Sequence, residues 1–136
     1  LFFNDSYKSL LDKAELNESG RSSLTMISRD LRNAGYKDIN YNQIWDRIIE
    51  QVDNYNNTGS DSLTIWYNNS PQDRIQIQYF LKKYDNGNEM YLAKDVIENP
   101  VTSPKYVYCE RFSVQKNCSP LNIAPYVTDF QVIYRI

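Results

Sequence analysis

The residues of this 136-residue chain that could do chemistry are few: two cysteines, scattered carboxylates and no histidine at all. Without histidine the usual general base near neutral pH is gone, and so is the commonest transition-metal ligand. Ser-His-Asp and Cys-His arrangements cannot be built. Carboxylate pairs of the glycosidase kind stay formally open, but no pair is distinguished by its context. Cys109 and Cys118 have eight residues between them, the wrong spacing for a C-x-x-C redox motif and a poor start for a zinc site. A disulfide closing a short loop is the simplest reading, and it implies an oxidising compartment. Two reduced core cysteines are the bland alternative. Asp53, Asn54, Asn56, Asn57 and Asp61 are oxygen-rich, as is the run Asp85-Asn86-Gly87-Asn88-Glu89, yet neither matches the spacing of a calcium loop. A last candidate is a ligand or DNA surface, in which Arg74, Lys82 and Lys83 contact an anion beside Trp45, Tyr55, Trp66 and Tyr67. Half-buried sheet aromatics are the commoner role for such Tyr and Trp residues. These residues identify no catalytic site, cofactor site or metal site.

The bulk values fit one soluble domain. The length suffices to bury a core, and hydrophobic and charged residues make up 41% and 24%, ordinary values for a globular protein. Fifteen basic residues against 17 acidic ones leave a formal charge of -2, so no strong overall pull on nucleic acid or anionic lipid is expected. No run of 18 apolar residues long enough to span a bilayer occurs. The chain opens on Leu1-Phe2-Phe3, read either as foreign residues or as the tail of a removed apolar segment.

These candidates must be positioned by a helix followed by strands. Tyr7, Leu10, Ala14, Leu24, Ile27, Leu31 and Ala34 recur at steps of three and four, predicting one long helix with a single apolar stripe. Gly20 is a weak point in it, and Gly35 suits its left-handed C-cap. A short second helix is predicted over Asn42–Val52, where Ile44, Ile48, Ile49 and Val52 share a face. Residues 53–61 read as a polar loop. Beyond it the period becomes two, with strands expected around Leu63–Tyr67, Ile75–Leu81 and Met90–Ala93, a hairpin turn at residues 85–88, and a closing strand from Val127. Residues 95–125 hold four prolines and both cysteines and are less regular. The expected fold class is therefore α+β in a single domain. It comprises a long helix (1–34) packed on an antiparallel sheet, a connecting region (36–60) with the short helix, and a sheet and disulfide region (61–136).

Three blocks carry a resemblance. Glu18-Ser19-Gly20-Arg21 and Leu24 to Tyr36, with Asp30-Leu31-Arg32-Asn33-Ala34-Gly35-Tyr36 at the helix stop, resemble the end of the long helix in the PilW family of type IV pilus minor pilins. Ser60-Asp61-Ser62-Leu63-Thr64-Ile65-Trp66-Tyr67 resembles that family's first strand, and Ala124 to Tyr134 its closing strand. The blocks touch about a quarter of the chain, in the right order. The most specific residues are Arg21, Asp30, Arg32, Ala34, Gly35 and Tyr36. Asp30 and Arg32 lie two positions apart, cannot face each other on a helix, and are each expected to meet the sheet or a loop. Tyr36 is expected to fold back over the last helical turn.

The resemblance implies a pilin-like fold and a non-enzymatic subunit that packs into, or primes, a type IV pilus near its tip. Its implied partners are other minor pilins, the major pilin and the inner membrane, the last through an N-terminal helix preceding this chain. The implied location is the periplasmic side of the inner membrane before assembly and the pilus after it. Tyr7, Leu10, Leu11 and Ala14 form the candidate subunit-packing face. Two alternatives stand beside it: a J-type minor pseudopilin of a type II secretion system, and a tip subunit binding DNA or a surface ligand such as a host glycan.

Overall fold

A computed structural model describes residues 2–37, 48–68, 70, 73–109 and 119–133, with side chains in the helix described from Glu18 onward. The elements, in order, are α1 (Phe2–Asn33), β1 (Ile49–Val52), a 3-10 turn (Tyr55–Asn57), β2 (Ser62–Asn68), β3 (Arg74–Lys83), β4 (Met90–Glu98), β5 (Lys105–Tyr106) and β6 (Leu121–Ala124). All strand pairs are antiparallel. The sheet runs β1-β2-β3-β4-β5, and β6 pairs with the same outer edge of β4 that β5 uses further along.

The expected architecture, a long helix packed on a sheet, is corrected. The molecule is mostly a six-stranded antiparallel sheet. Against it lies only a helical segment of 16 residues with described side chains, the C-terminal half of α1. The sheet dominates because its alternating positions supply nearly the whole core. Leu63, Ile65, Ile75, Ile77, Tyr79, Leu81, Leu92 and Ala124 are buried on one face, and the described part of α1 adds Ile27 to them.

The predicted stripe on α1 is corrected at Leu24 and Leu31, while Ile27 and Ala34 do meet the core and Tyr7, Leu10 and Ala14 lie outside the described side chains. Its inward positions are Ser23, Ile27 and Asp30, all buried, with Met26 and Ala34 partly buried beside them. Leu24 and Leu31 are 65% and 38% exposed. Apolar periodicity misplaced Leu24 and Leu31 because, of the three buried positions among the described residues of α1, two are polar. Ser23 Oγ donates to the Ile123 carbonyl at 3.0 Å, and Asp30 is held by partners on the sheet.

The predicted helix over Asn42–Val52 is corrected where it is described: Ile49–Val52 is the edge strand β1, paired with β2 from Ile49↔Ile65 to Val52↔Ser62. Two β-branched residues among these four fit an open sheet edge. The rest of that prediction lies outside the described residues. The closing strand is corrected too. Residues 127–133 form no ladder, and a strand appears earlier, at Leu121–Ala124, within the stretch read as irregular. The hairpin at residues 85–88 joins β3 to β4, with the Tyr84 N–H donating to the Glu89 carbonyl at 3.0 Å. Cys109 is disulfide-bonded; Cys118, the chain's other cysteine, lies outside the described residues.

Gly35 ends the helix at φ +76, a conformation glycine adopts without cost. Its N–H donates to the Trp66 carbonyl at 2.8 Å, so the helix stop is fastened to the end of β2. A Cβ at this position would lie 3.1 Å from Ile48 Cδ1, the far end of a movable side chain. Backbone strain is therefore the main cost of filling it. Gly35→Ala is expected to destabilise the domain by about 1–2 kcal/mol, read as a lower midpoint in urea unfolding with an unchanged slope.

Candidate functional site

The chemistry concentrated inside this protein sits where α1 meets the sheet. Asp30 is 5% exposed and Lys94 is 5% exposed, and Lys94 Nζ lies 2.9 Å from Asp30 Oδ2. The Tyr79 hydroxyl donates to the same oxygen. Tyr79 and Lys94 face one another across β3 and β4, and the ammonium stands 5.5 Å from the Tyr79 ring centre. One carboxylate on the helix is thus gripped by a cation and a hydroxyl from two neighbouring strands. Arg29 Nε, 3.8 Å from Asp30 Oδ1 on a largely exposed side chain, adds little, since solvent screens it.

Burial, followed by the hydrogen bond to Asp30 and the Asp30 charge, pushes the Tyr79 hydroxyl far above the ordinary phenol range. Burial and then the same charge also raise Tyr67 and Tyr108. Ionising a phenol beside a buried carboxylate is unfavourable, so these hydroxyls hold their protons, and that of Tyr79 donates to Asp30. The Asp30 carboxylate is taken up by Lys94 and Tyr79, and so fastens the helix to the sheet.

A second polar joint ties the C-terminal segment to the start of β2. Ser60 Oγ donates to Asp129 Oδ1 at 2.9 Å and accepts the Phe130 N–H at 3.1 Å. Asp61 Oδ2 accepts the Val132 N–H at 2.8 Å and Gln51 Nε2 at 3.0 Å, while the Asp61 N–H donates to the Phe130 carbonyl at 2.8 Å. Hydrogen bonds from Gln131 and then Ser60 hold the Asp129 carboxyl below its usual range. Phe130 and Val132 pack inward while Asp129 and Gln131 point to solvent. The alternation read from the sequence is present, but side chains take the place of a backbone ladder.

The sequence-derived site residues are distributed as follows. Asp30 meets the sheet. Arg21 and Arg32 are exposed, and Arg32 does not enter the fastening. Ala34 is half-buried against the core. The Tyr36 ring is 60% exposed and does not cover the last turn. Its carbonyl instead accepts the Asn68 N–H at 2.8 Å, because the left-handed Gly35 sends the chain onward along β2. The side chains of Tyr7, Leu10, Leu11 and Ala14 lie outside the described residues, as does Trp45.

The basic trio does not converge. The Arg74 guanidinium stands 5.7 Å from the Trp66 ring at one end of β3, and Lys82 and Lys83 occupy the other end, roughly 25 Å along the strand. Asp53, Asn54 and Asp61 spend their oxygens on Gln51 and on the Gly59 N–H, and no group of three or more metal ligands occurs among the described residues.

The sequence reading missed Lys94 and the polar role of Tyr79. The signal was present: Lys94 falls in phase with the inward Leu92, directly opposite an inward tyrosine. A charged residue at such a position calls for a buried counter-ion. Compared with known proteins, the chain matches no family model, no curated protein and no solved structure.

Removing one partner of a buried ion pair strands the other charge. Lys94→Met is expected to cost about 3–5 kcal/mol in chemical unfolding, with part of the loss recovered when Asp30→Asn is added. A second expectation concerns alkali. Unfolded tyrosine ionises near pH 10, while the raised hydroxyls of Tyr79, Tyr67 and Tyr108 keep their protons in the folded state. Their contribution is whole below about pH 10 and is lost as pH climbs above it, because the unfolded chain alone releases protons there. Tyr79→Phe should make the fall in stability above pH 10 shallower, as measured by unfolding at a series of alkaline pH values.

Proposed function

We propose that this chain is a non-enzymatic assembly subunit, a minor pilin of a type IV pilus, acting near the tip or in priming the filament. The overall architecture is not the support for this reading. The observation that carries it is where the three resembling blocks lie. Asp30 and Gly35 of the first block bind Lys94, Tyr79 and Trp66. Ser60 and Asp61 of the second bind Asp129, Phe130 and Val132 of the third. Several of the residues that carry the resemblance are thus joints between the elements of this domain, where an inherited framework would keep them.

An assembly role also gives a use to the outer face of the helix. Leu24 and Leu31 lie seven residues apart on one face of α1 and remain substantially exposed while Asp30 holds the helix against rotation. Two leucines at that spacing suit packing against another subunit's helix. In this reading the subunit works with other minor pilins, the major pilin and the inner membrane, and is carried from the periplasmic side of that membrane into the pilus. The J-type pseudopilin remains the nearest alternative, since it would use the same joints and the same helix face.

Deleting the gene in the source bacterium is expected to reduce surface pili, counted by electron microscopy. The wild-type gene should restore them, and one carrying Leu24→Asp and Leu31→Asp should not. Lost exoprotein secretion with normal pili would assign the chain to a secretion system. Normal pili and normal secretion together would end the assembly reading.

A further inference from the structure

The loop after β1 and the far end of β3 enclose a hollow of about 380 Å³, lined by Tyr55, Asn56, Phe80, Lys82, Lys83 and Pro120 among others. From its chemistry we infer that this hollow binds a carboxylate-bearing sugar, as presented by an acidic oligosaccharide.

Its floor is aromatic. Tyr55 meets Phe80 edge-on, with ring centres 5.4 Å apart and planes inclined at 63°, and both belong to a small apolar cluster with Tyr91 and Ala93. The apolar C–H face of a sugar ring suits such a floor. The rim is cationic. Lys82 and Lys83 line the hollow, no carboxylate does, and neither lysine forms an ion pair among the described residues. An aromatic floor bordered by lysines, with no acidic residue among its described lining residues, calls for an anion.

The loop is also built in advance. Asn54, Asn56 and Asn57 all adopt left-handed backbone conformations, at φ 47, 52 and 58. The loop is held by its own bonds: the Tyr55 N–H to the Ser60 carbonyl at 2.8 Å, Thr58 Oγ1 to the Tyr55 carbonyl at 2.7 Å, and the Gly59 N–H to Asn54 Oδ1 at 2.8 Å. Those bonds use Asn54 and Thr58 and leave the Asn56 amide at the hollow, a group able both to donate to and to accept from a sugar hydroxyl. Backbone strain kept in an ordered loop lowers the ordering cost of binding. The volume lies within the range of small-ligand sites, roughly 300–1,000 Å³.

The same residues argue against nucleic acid as the occupant. A phosphate backbone needs a row of cations along its track, and this site offers two. Arg74 stands at the opposite end of β3, and the chain as a whole carries a charge of -2. One or two carboxylates on a compact sugar match the site better than a polyphosphate. The inference goes beyond the assembly reading and rests on other residues, so a failure of either leaves the other standing.

Nuclear magnetic resonance on the 15N-labelled chain tests it, with trigalacturonate as the probe, neutral maltotriose as its control and a thymidine hexanucleotide as the competing class. Trigalacturonate is expected to shift the amide signals of Tyr55, Asn56, Lys82 and Lys83 in a saturable manner. Lys82→Gln with Lys83→Gln should weaken that binding by about tenfold or more, with the rest of the spectrum unchanged. Maltotriose should bind more weakly than trigalacturonate to the wild-type chain. The inference is overturned by any of four results: no saturable shift, shifts centred elsewhere, equal affinity in the double variant, or tighter binding of the hexanucleotide at matched ionic strength.

Discussion

The Asp30 carboxylate is the constraint around which this domain is arranged. A charge that is almost entirely withdrawn from water must meet an opposite charge and further donors, or the fold loses several kcal/mol. Lys94 and Tyr79 meet it from adjacent strands, so satisfying one helical residue sets the helix against two strands at a definite rotation and height. Hydrophobic contact alone would not do this, because apolar packing is non-directional and, among the described residues of α1, Ile27 is the one buried apolar side chain in the core. The pair need not add net stability over well-packed apolar residues of similar volume. Its effect is to permit one arrangement and penalise the others.

From that rotation much of the surface follows. With Ser23, Ile27 and Asp30 turned inward, Leu24 and Leu31 are left outside. The same seating places Gly35 beside Trp66 and lets the chain continue against Asn68. At the other polar joint, Ser60 and Asp61 take over the work of a missing backbone ladder and hold residues 129–132 by side-chain bonds. This second joint uses short polar side chains at the start of β2, where backbone groups would otherwise lack partners.

The far end of β3 lies outside this frame. There the asparagine-rich loop is held in left-handed turns that only a few residue types tolerate. The hollow it closes is lined by Lys82 and Lys83 together with the Tyr55 and Phe80 rings. The fold thus separates two kinds of polarity. One is internal, mutually satisfied and devoted to fastening, and the other faces solvent.

Several features were legible in the residues themselves. The absence of histidine excluded whole classes of catalysis, and alternation located β2, β3 and the hairpin into β4 because period-two burial is a local property. Gly35 marked the helix stop because only glycine sits at positive φ without cost. What the sequence could not settle depended on partners distant along the chain. Ile49–Val52 is a strand only because β2 lies beside it; by period alone it fits a helix. The inward face of α1 is read wrongly from apolar spacing at Leu24 and Leu31, since its polar residues are buried by Lys94, Tyr79 and the Ile123 carbonyl. Arg74 and Lys82 look like one basic group by type, and the length of β3 separates them. Composition and local period therefore determine which chemistry is excluded and where most strands run. Only the tertiary structure decides which charges are buried together, because that pairing joins residues 49 and 64 positions apart.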